Sequence, residues 1–329
     1  MRRTSHSPLL ISMMVLCASG FFQAESDGLK MNFYETSCPR AEDIVKEITA
    51  KNVKEDPGVP ADLLRLHYHD CFVRGCDGSV LLDSTPNNVA EKDASPNLTL
   101  DGFDVIQEIK EELENVCPRV VSCADILALA ARDAVSNQFK KDMWQVLTGR
   151  RDSTVSKSSE ADAELPLPTF NFQALEQTFA RKGLTMHDLV VLSGAHTIGQ
   201  AHCDSFSNRL FNFSKEENMD PSLLSDYASD LKKQCRSLSD HTTTVFMDPD
   251  NSGLNFDSHY YLAVNQHKGL FQSDAALLTN EVSSQLVNQL MKRNTFFENF
   301  AISMKKMGAI GVLTGESGEI RKKCNVVNN

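Results

Sequence analysis

The sequence predicts a mainly α-helical protein with few, short strands. Three segments carry this prediction, because their apolar residues recur at helical spacing or include alanine and leucine rather than β-branched residues. They are FDVIQEIKEELENV at 103–116, VVSCADILALAARDAV at 120–135 and TFFENFAISMKKMGAI at 295–310. No repeat or low-complexity linker divides the 329 residues, so a single-domain or two-lobed protein follows.

The first residues have the features of a secretory signal peptide. Arginines directly after the initiator methionine precede an apolar run from Leu9 to Phe22, and small residues follow it. The run is short and interrupted for a membrane span, although a signal anchor is the alternative. We expect a signal peptide at 1–28, cleaved at about 24–28, and a secreted protein at 29–329.

Charge and cysteine content narrow the class of protein. The formal net charge of −11 makes nucleic acid a poor candidate partner. Removal of Cys17 with the signal leaves an even number of cysteines, which in a secreted chain indicates four disulfides. Zinc is disfavoured because the chain has no Cys-x2-Cys pair. The remaining cysteines are Cys38, Cys71, Cys76, Cys117, Cys123, Cys203, Cys235 and Cys324.

The segment LLRLHYHDCF at 63–72 fits a helix that carries reactive side chains. Arg65 and His69 stand four residues apart and therefore lie on one helical face, whereas His67 points away from it. A base and a fixed cation facing the same space are what heterolysis of a peroxide needs. A surface Arg–His pair is the alternative that spacing leaves open.

A short loop after this helix is rich in oxygen ligands. Asp70, Asp77 and Ser79 flank two glycines, and carboxylates, hydroxyls and loop carbonyls are the ligands that calcium takes. The twelve-residue spacing of an EF-hand is missing, so spacing alone indicates calcium only weakly.

Two later regions read as irregular or extended. Residues 153–169 are polar and then contain LPLP, which predicts a surface loop. Short strands are expected near 313–320.

The segment LTMHDLVVLSGAHTIG at 184–199 predicts a helix with a histidine near its end. Thr185 and Asp188 have capping-box spacing, and Gly199 is a plausible stop. His196 falls on the apolar stripe, where a buried histidine held by a hydrogen bond is the simplest interpretation.

Together these motifs resemble the secreted plant haem peroxidases, class III of the plant peroxidase superfamily. The resemblance runs from FYETSCP at 33–39 to Cys324, and its motifs include RLHYHDCFVRGCDGS, GRRDS, DLVVLSGAHTIG, NFDSHYY and KGLFQSD. It implies a mainly α, two-lobed fold with one haem b between distal and proximal helices. It also implies a monomer with two calcium ions.

The resemblance assigns roles at the haem. Arg65 and His69 match the distal pair, and Asn97 matches the asparagine that hydrogen-bonds the distal histidine. His196 matches the ligand of the haem iron, and Asp274 matches the carboxylate that accepts its other N–H.

The resemblance also assigns metal sites and disulfides. A distal calcium would use Asp70, Val73, Gly75, Asp77 and Ser79, with Glu91 linked through water. A proximal calcium would use Thr197, Asp248, Asn251 or Ser252, and Asp257, although the spacing from Asp248 to Asp257 is one residue longer than usual. The implied disulfides are Cys38–Cys117, Cys71–Cys76, Cys123–Cys324 and Cys203–Cys235.

Three further residues follow from the resemblance, and two others stand apart from it. Asp125 and Arg150 would form a buried ion pair, and Pro166 would lie at the haem edge where aromatic donors bind. Tyr68 is a departure, because the family usually has phenylalanine beside the distal histidine. Asn212 begins the sequon expected to carry a glycan.

The implied function is secreted oxidation chemistry. Hydrogen peroxide would be reduced to water, and phenolic or similar aromatic donors would be oxidised in two one-electron steps through an oxo-ferryl intermediate. The expected location is the extracellular space or cell wall, with no membrane after signal cleavage. The alternative is a secreted haem- or calcium-binding protein without efficient turnover.

Overall fold

The computed structural model describes residues 28–249 and 253–329, and within them the protein is mainly helical. The first four helices pack together, with α4 in contact with both α1 and α2. Every residue of α4 is buried, and the Ser122 side chain caps its start by accepting a hydrogen bond from the Asp125 N–H. These helices are α1 (Ala41–Glu55), α2 (Val59–Val73), α3 (Phe103–Val116) and α4 (Cys123–Ser136).

A second group of helices forms around α7, which contacts α6, α11 and α12. The predicted capping box of Thr185 and Asp188 is present at its start. The middle helices are α5 (Ser158–Glu164), α6 (Phe172–Arg181), α7 (Met186–Ser193) and α8 (Ser225–Gln234). The last are α9 (His259–Asn265), α10 (Gln272–Ala276), α11 (Glu281–Leu290) and α12 (Arg293–Met307).

One apolar core runs through both groups of helices. A smaller cluster around Phe206 and Leu210 covers the segment that follows His196. The only sheet in the described ranges lies here and pairs β1 (Gln200–His202) antiparallel with β2 (Thr244–Phe246). Two strands of three residues are too short to show a period-two pattern, so no local signal predicted them.

Two sequence predictions about local structure were wrong. The region 153–169 contains α5 rather than only loop, and Ala161 on α5 is fully buried. The expected strand at 313–320 is absent: Leu313 and Glu319 form isolated bridges to Arg151 and Asp152. Glycines with positive φ at 315 and 318 turn the chain back between the bridges, so no extended strand can form.

The described residues contain four disulfides, and they are the four pairs that the family resemblance implies: Cys38–Cys117, Cys71–Cys76, Cys123–Cys324 and Cys203–Cys235. Two of them join segments 79 and 201 residues apart. Such long closures restrict the unfolded chain most.

No helix in the described part of the chain is both long and apolar enough to cross a membrane. Residues 1–27 of the expected signal peptide, together with Asn251 and Ser252, lie outside the described residues.

Candidate active site

A histidine on α2 is held by an asparagine from a separate turn. The Nδ1 atom of His69 lies 2.6 Å from Oδ1 of Asn97, whose Nδ2 donates to the Glu91 carbonyl at 2.8 Å. A carbonyl only accepts, so this contact orients the amide and requires the proton on Nδ1 of His69. The Nε2 atom of His69 therefore keeps its lone pair, and it has no hydrogen-bond partner among the described residues.

Arg65 lies against the same turn. Its guanidinium donates to the carbonyls of Thr99 at 2.7 Å and Pro96 at 3.0 Å. The structure thus brings Arg65, His69 and Asn97 together, which helical spacing predicted for the first two and the family resemblance implied for Asn97. Burial and the positive charge of Arg65 lower the pKa of His69 to about 3, against a weaker opposing effect of the Asn97 hydrogen bond. At neutral pH the histidine is a neutral base beside a fixed cation.

Tyr68 packs between this histidine and the core. Its ring meets His69 edge-on at 5.1 Å between centroids and lies 4.5 Å from the ring of Phe72. Burial raises the pKa of the phenol, with a smaller opposing effect of the Arg65 charge. Within the described residues the hydroxyl has no hydrogen-bond partner.

A second histidine is held by a carboxylate. His196 lies in a 3-10 turn, Gly194–Thr197, into which α7 tightens, and its Nδ1 is 2.8 Å from Oδ1 of Asp274. Asp274 sits in the first turn of α10, where its Oδ2 accepts the Phe271 N–H at 2.8 Å. Burial alone would raise the pKa of Asp274, but the attraction of His196 and these hydrogen bonds lower it below its usual value.

The residues around His196 fit a haem iron. Its side chain is 33% exposed although Asp274 is buried, and Nε2 has no partner among the described residues. A histidine that gives its Nδ1 proton to a carboxylate has a fixed tautomer and a basic Nε2, which is the ligand pattern of haem and other metal histidines. The donor set therefore fits the group that the sequence resemblance implies.

Four buried oxygen-bearing side chains gather beyond α2. Asp70, Asp77, Ser79 and Glu91 are each at most 3% exposed. The Ser79 hydroxyl and both Glu91 carboxylate oxygens are buried and have no hydrogen-bond partner in the described part of the chain. Burial and then the charge of Asp70 raise the pKa of Glu91 to about 9, and burial also raises the pKa values of Asp70 and Asp77. Orphaned oxygens and carboxylates that resist ionisation fit a cation site, and an all-oxygen set fits calcium.

Calcium binding by backbone carbonyls of the same loop remains a prediction. The Val73 carbonyl accepts from Lys182 Nζ at 3.0 Å, and the Gly75 carbonyl accepts from the Asp77 N–H at 2.8 Å. Each carbonyl retains a second lone pair for a metal. The Cys71–Cys76 disulfide closes the loop, and Gly78 adopts the left-handed conformation there.

The second predicted calcium site is partly assembled. The Thr197 hydroxyl donates to Oδ1 of Asp257 at 3.1 Å, directly beside His196 in the chain. Asp248 is fully buried and lies 2.7 Å from the ring Nδ1 of His259. The backbone N–H of His259 donates to Asp257. These three oxygen donors fit a cation, while the predicted middle ligands fall outside the described ranges.

His67 lies beside the Cys71–Cys76 disulfide rather than with Arg65 and His69. It is buried and lies 3.6 Å from Cys71 Sγ, and burial followed by the charge of Arg150 lowers its pKa to about 3. His67, Cys71 and Cys76 are close enough to suggest a metal site, but both cysteines are in a disulfide and cannot bind one as thiolates.

Asp125, Arg150 and Pro166 are the remaining predicted residues. Arg150 Nη1 donates to Asp125 at 2.8 Å in a fully buried pair that Tyr34 completes. Pro166 is half-buried, next to exposed Leu167, on the stretch between α5 and α6.

Sequence reasoning missed two residues that contact Asp274 or the segment just ahead of it. The Tyr260 hydroxyl donates to Oδ1 of Asp274 at 2.8 Å. Arg209 is fully buried and donates to the carbonyls of residues 269–271, just ahead of Asp274. Both contacts span many residues, so no local spacing could have revealed them.

The chain is similar to known proteins over almost its whole length. Residues 45–293 match the family model described as Peroxidase. Peroxidase 3 of Arabidopsis thaliana is 50% identical over 98% of both chains, and Peroxidase 30 of the same plant is 47% identical over 100% of both. Peroxidase 1 of Oryza sativa subsp. japonica is 49% identical over 97% of this chain and 98% of its own.

Proposed function

Because the chain belongs to the peroxidase family, we propose that His69 and Arg65 act on hydrogen peroxide at a haem whose iron is bound by His196. The protein is a haem peroxidase that uses hydrogen peroxide and an electron donor. The observation that carries the residue assignment is the Asn97–His69 hydrogen bond, which leaves Nε2 of His69 as the only basic nitrogen of that ring.

When bound, the haem supplies the redox chemistry, a two-electron reduction of peroxide followed by one-electron oxidations of the donor. His69 takes a proton from one peroxide oxygen at Nε2 and returns it to the departing oxygen, which leaves as water. Arg65 stabilises the negative charge that develops on that oxygen. Asn97 keeps the imidazole in the tautomer that can do this.

His196 would bind the iron through Nε2, while Asp274 accepts a hydrogen bond from its Nδ1–H. The partial imidazolate character that results makes the histidine a stronger electron donor to iron. Loss of the Asp274 contact would weaken that donation.

The finer assignments are part of the same proposal. The group is haem b, and two calcium ions support the site. One is held by Asp70, Asp77, Ser79 and neighbours, the other by Thr197, Asp248 and Asp257. Small phenolic or aromatic donors meet the haem edge near Pro166, and the enzyme acts as a monomer in the extracellular space or cell wall after residues 1–28 are removed.

The test is stopped-flow reaction of purified haem-loaded enzyme with hydrogen peroxide. We expect His69→Ala to slow the reaction by about 10²–10⁴-fold and Arg65→Ala by about 10²–10³-fold, while haem is retained. Arg74→Ala, an exposed arginine at the end of the same helix, and His187→Ala are matched controls that should react at the wild-type rate. A wild-type rate in either site variant would refute the assignment, and haem without turnover in the wild type would favour a binding protein.

A further inference from the structure

Asp274 accepts hydrogen bonds from three donors, and two of them converge on a single oxygen. His196 Nδ1 and the Tyr260 hydroxyl each lie 2.8 Å from Oδ1, while the Phe271 N–H binds Oδ2. Two donors on one carboxylate oxygen compete for its electron density. The tyrosine therefore weakens the hydrogen bond that the same oxygen accepts from the histidine.

Burial and ring packing hold Tyr260 in this contact. The side chain is 1% exposed, and its ring meets His196 edge-on at 5.7 Å between centroids. Burial and the neighbouring Asp274 raise the pKa of the phenol well above its usual value, so it stays protonated and can only donate to the carboxylate.

Neighbouring residues on α9 fix the position of the tyrosine. The next residue, Tyr261, donates its hydroxyl to the carbonyls of Val190 and Val191 on α7, at 3.1 and 2.9 Å. One turn earlier, Asp257 accepts a hydrogen bond from Thr197, the neighbour of His196. The hydroxyl of Tyr260 is thus held between two contacts with the segment that carries His196.

We propose that Tyr260 is a positioning residue that limits electron donation from His196 to the haem iron by sharing Oδ1 of Asp274. The inference rests on the proposed role of His196 as the iron ligand. With the tyrosine present, Asp274 pulls the Nδ1 proton less strongly, so the imidazole is less anionic and the ferric state is stabilised less. The family resemblance assigns the histidine–aspartate pair but no such third member.

Tyr260→Phe removes the hydrogen bond shared with Asp274, together with the contact between the phenol and the Ser193 side chain. Without this donor, Oδ1 accepts the Nδ1–H of His196 more strongly and the imidazole becomes more anionic. The ferric-to-ferrous ratio, measured at the wild-type midpoint potential, should therefore rise by about threefold to tenfold. The iron–histidine stretching band of the ferrous enzyme should move to higher frequency in resonance Raman spectra, because the ligand is more imidazolate-like.

Tyr261→Phe is the matched control. It also deletes a buried tyrosine hydroxyl on the same helix, but one that binds backbone carbonyls rather than Asp274. It should lower thermal stability without raising the band or the ferric ratio. Equal shifts in both variants would mean a packing effect and would overturn the proposal.

Two further measurements isolate the path through Asp274. In an Asp274→Asn background, Tyr260→Phe should change the ferric ratio much less than in the wild type, and an undiminished effect would refute the proposal. Should the Phe variant not hold haem, 3-fluorotyrosine incorporated at position 260 keeps the ring and strengthens the donor. It should lower both the band frequency and the ferric ratio, and no shift would overturn the inference.

The outcomes separate this inference from the proposed function. The ligand assignment requires that the wild-type ferrous enzyme show an iron–histidine band and that His196→Ala abolish it. If either result fails, the ligand assignment itself fails. If that band is present but unmoved by Tyr260→Phe, only the role of Tyr260 fails.

Discussion

Removal of calcium should make the stability of this enzyme depend on pH in an unusual direction. Without a cation, the carboxylate of Glu91 is buried beside Asp70 and Asp77, and its pKa lies at about 9 instead of the ordinary 4.5. With calcium bound, the same carboxylates are expected to be ionised and neutralised by the metal.

The sign and size follow from proton linkage. Between pH 4.5 and 9 the folded calcium-free protein holds a proton on Glu91 that the unfolded chain has lost. Stability therefore falls as pH rises, by about 1.4 kcal/mol per pH unit from this group. From pH 5 to 8 the loss amounts to ~4 kcal/mol as an upper estimate. Asp70 and Asp77, whose pKa values are also raised, add in the same direction.

The assay is urea unfolding of enzyme treated with a calcium chelator, compared with enzyme in excess calcium, at several pH values from 5 to 8. Glu91→Gln is the control, since it keeps the shape of the side chain and removes its proton equilibrium. It should reduce the pH slope of the calcium-free protein by about 1.4 kcal/mol per unit. Equal slopes with and without calcium, or an unchanged slope in the Gln variant, would refute the reasoning.

Three other results are expected. Asn97→Ala leaves the Nδ1–H of His69 without its acceptor, which costs roughly 1–3 kcal/mol. The reaction with peroxide should slow about 5- to 100-fold in stopped-flow measurements, and an unchanged rate would contradict the tautomer argument. Because the pKa of His69 is lowered to about 3, His69 stays neutral when the pH falls from 8 to 5. The rate constant for the reaction with peroxide should then be independent of pH over this range, whereas a tenfold loss by pH 5 would mean that His69 has an ordinary pKa. Tyr68→Phe deletes a hydroxyl without a hydrogen-bond partner among the described residues and keeps the ring packing on Phe72. The melting temperature measured by calorimetry should therefore be unchanged or higher, and a fall of several degrees would mean that the hydroxyl makes a stabilising contact.

Local geometry explains why much of the helical fold was predictable. The helix at 103–116 begins and ends where its apolar stripe does, and the capping box at Thr185 forms from residues three apart. The missed α5 has no such stripe, because it is mostly short polar residues, and its burial at Ala161 comes from packing alone. The bridges at Leu313 and Glu319 depend on a partner segment about 160 residues earlier, which no local pattern encodes.

The sequence by itself determined what lies within a helical turn or a short loop. The spacing of Arg65 and His69 puts them on one face, and Asp70, Asp77 and Ser79 share one loop, because the backbone geometry of a few residues leaves little choice. Tertiary structure decided everything that tunes these groups. Packing of separate elements brings Asn97 to His69, and it brings Asp274 to His196 across 78 residues and adds Tyr260 to the same carboxylate. Burial, which only the folded chain creates, then lowers the pKa of His69 and leaves the carboxylate oxygens of Glu91 without a hydrogen-bond partner among the described residues.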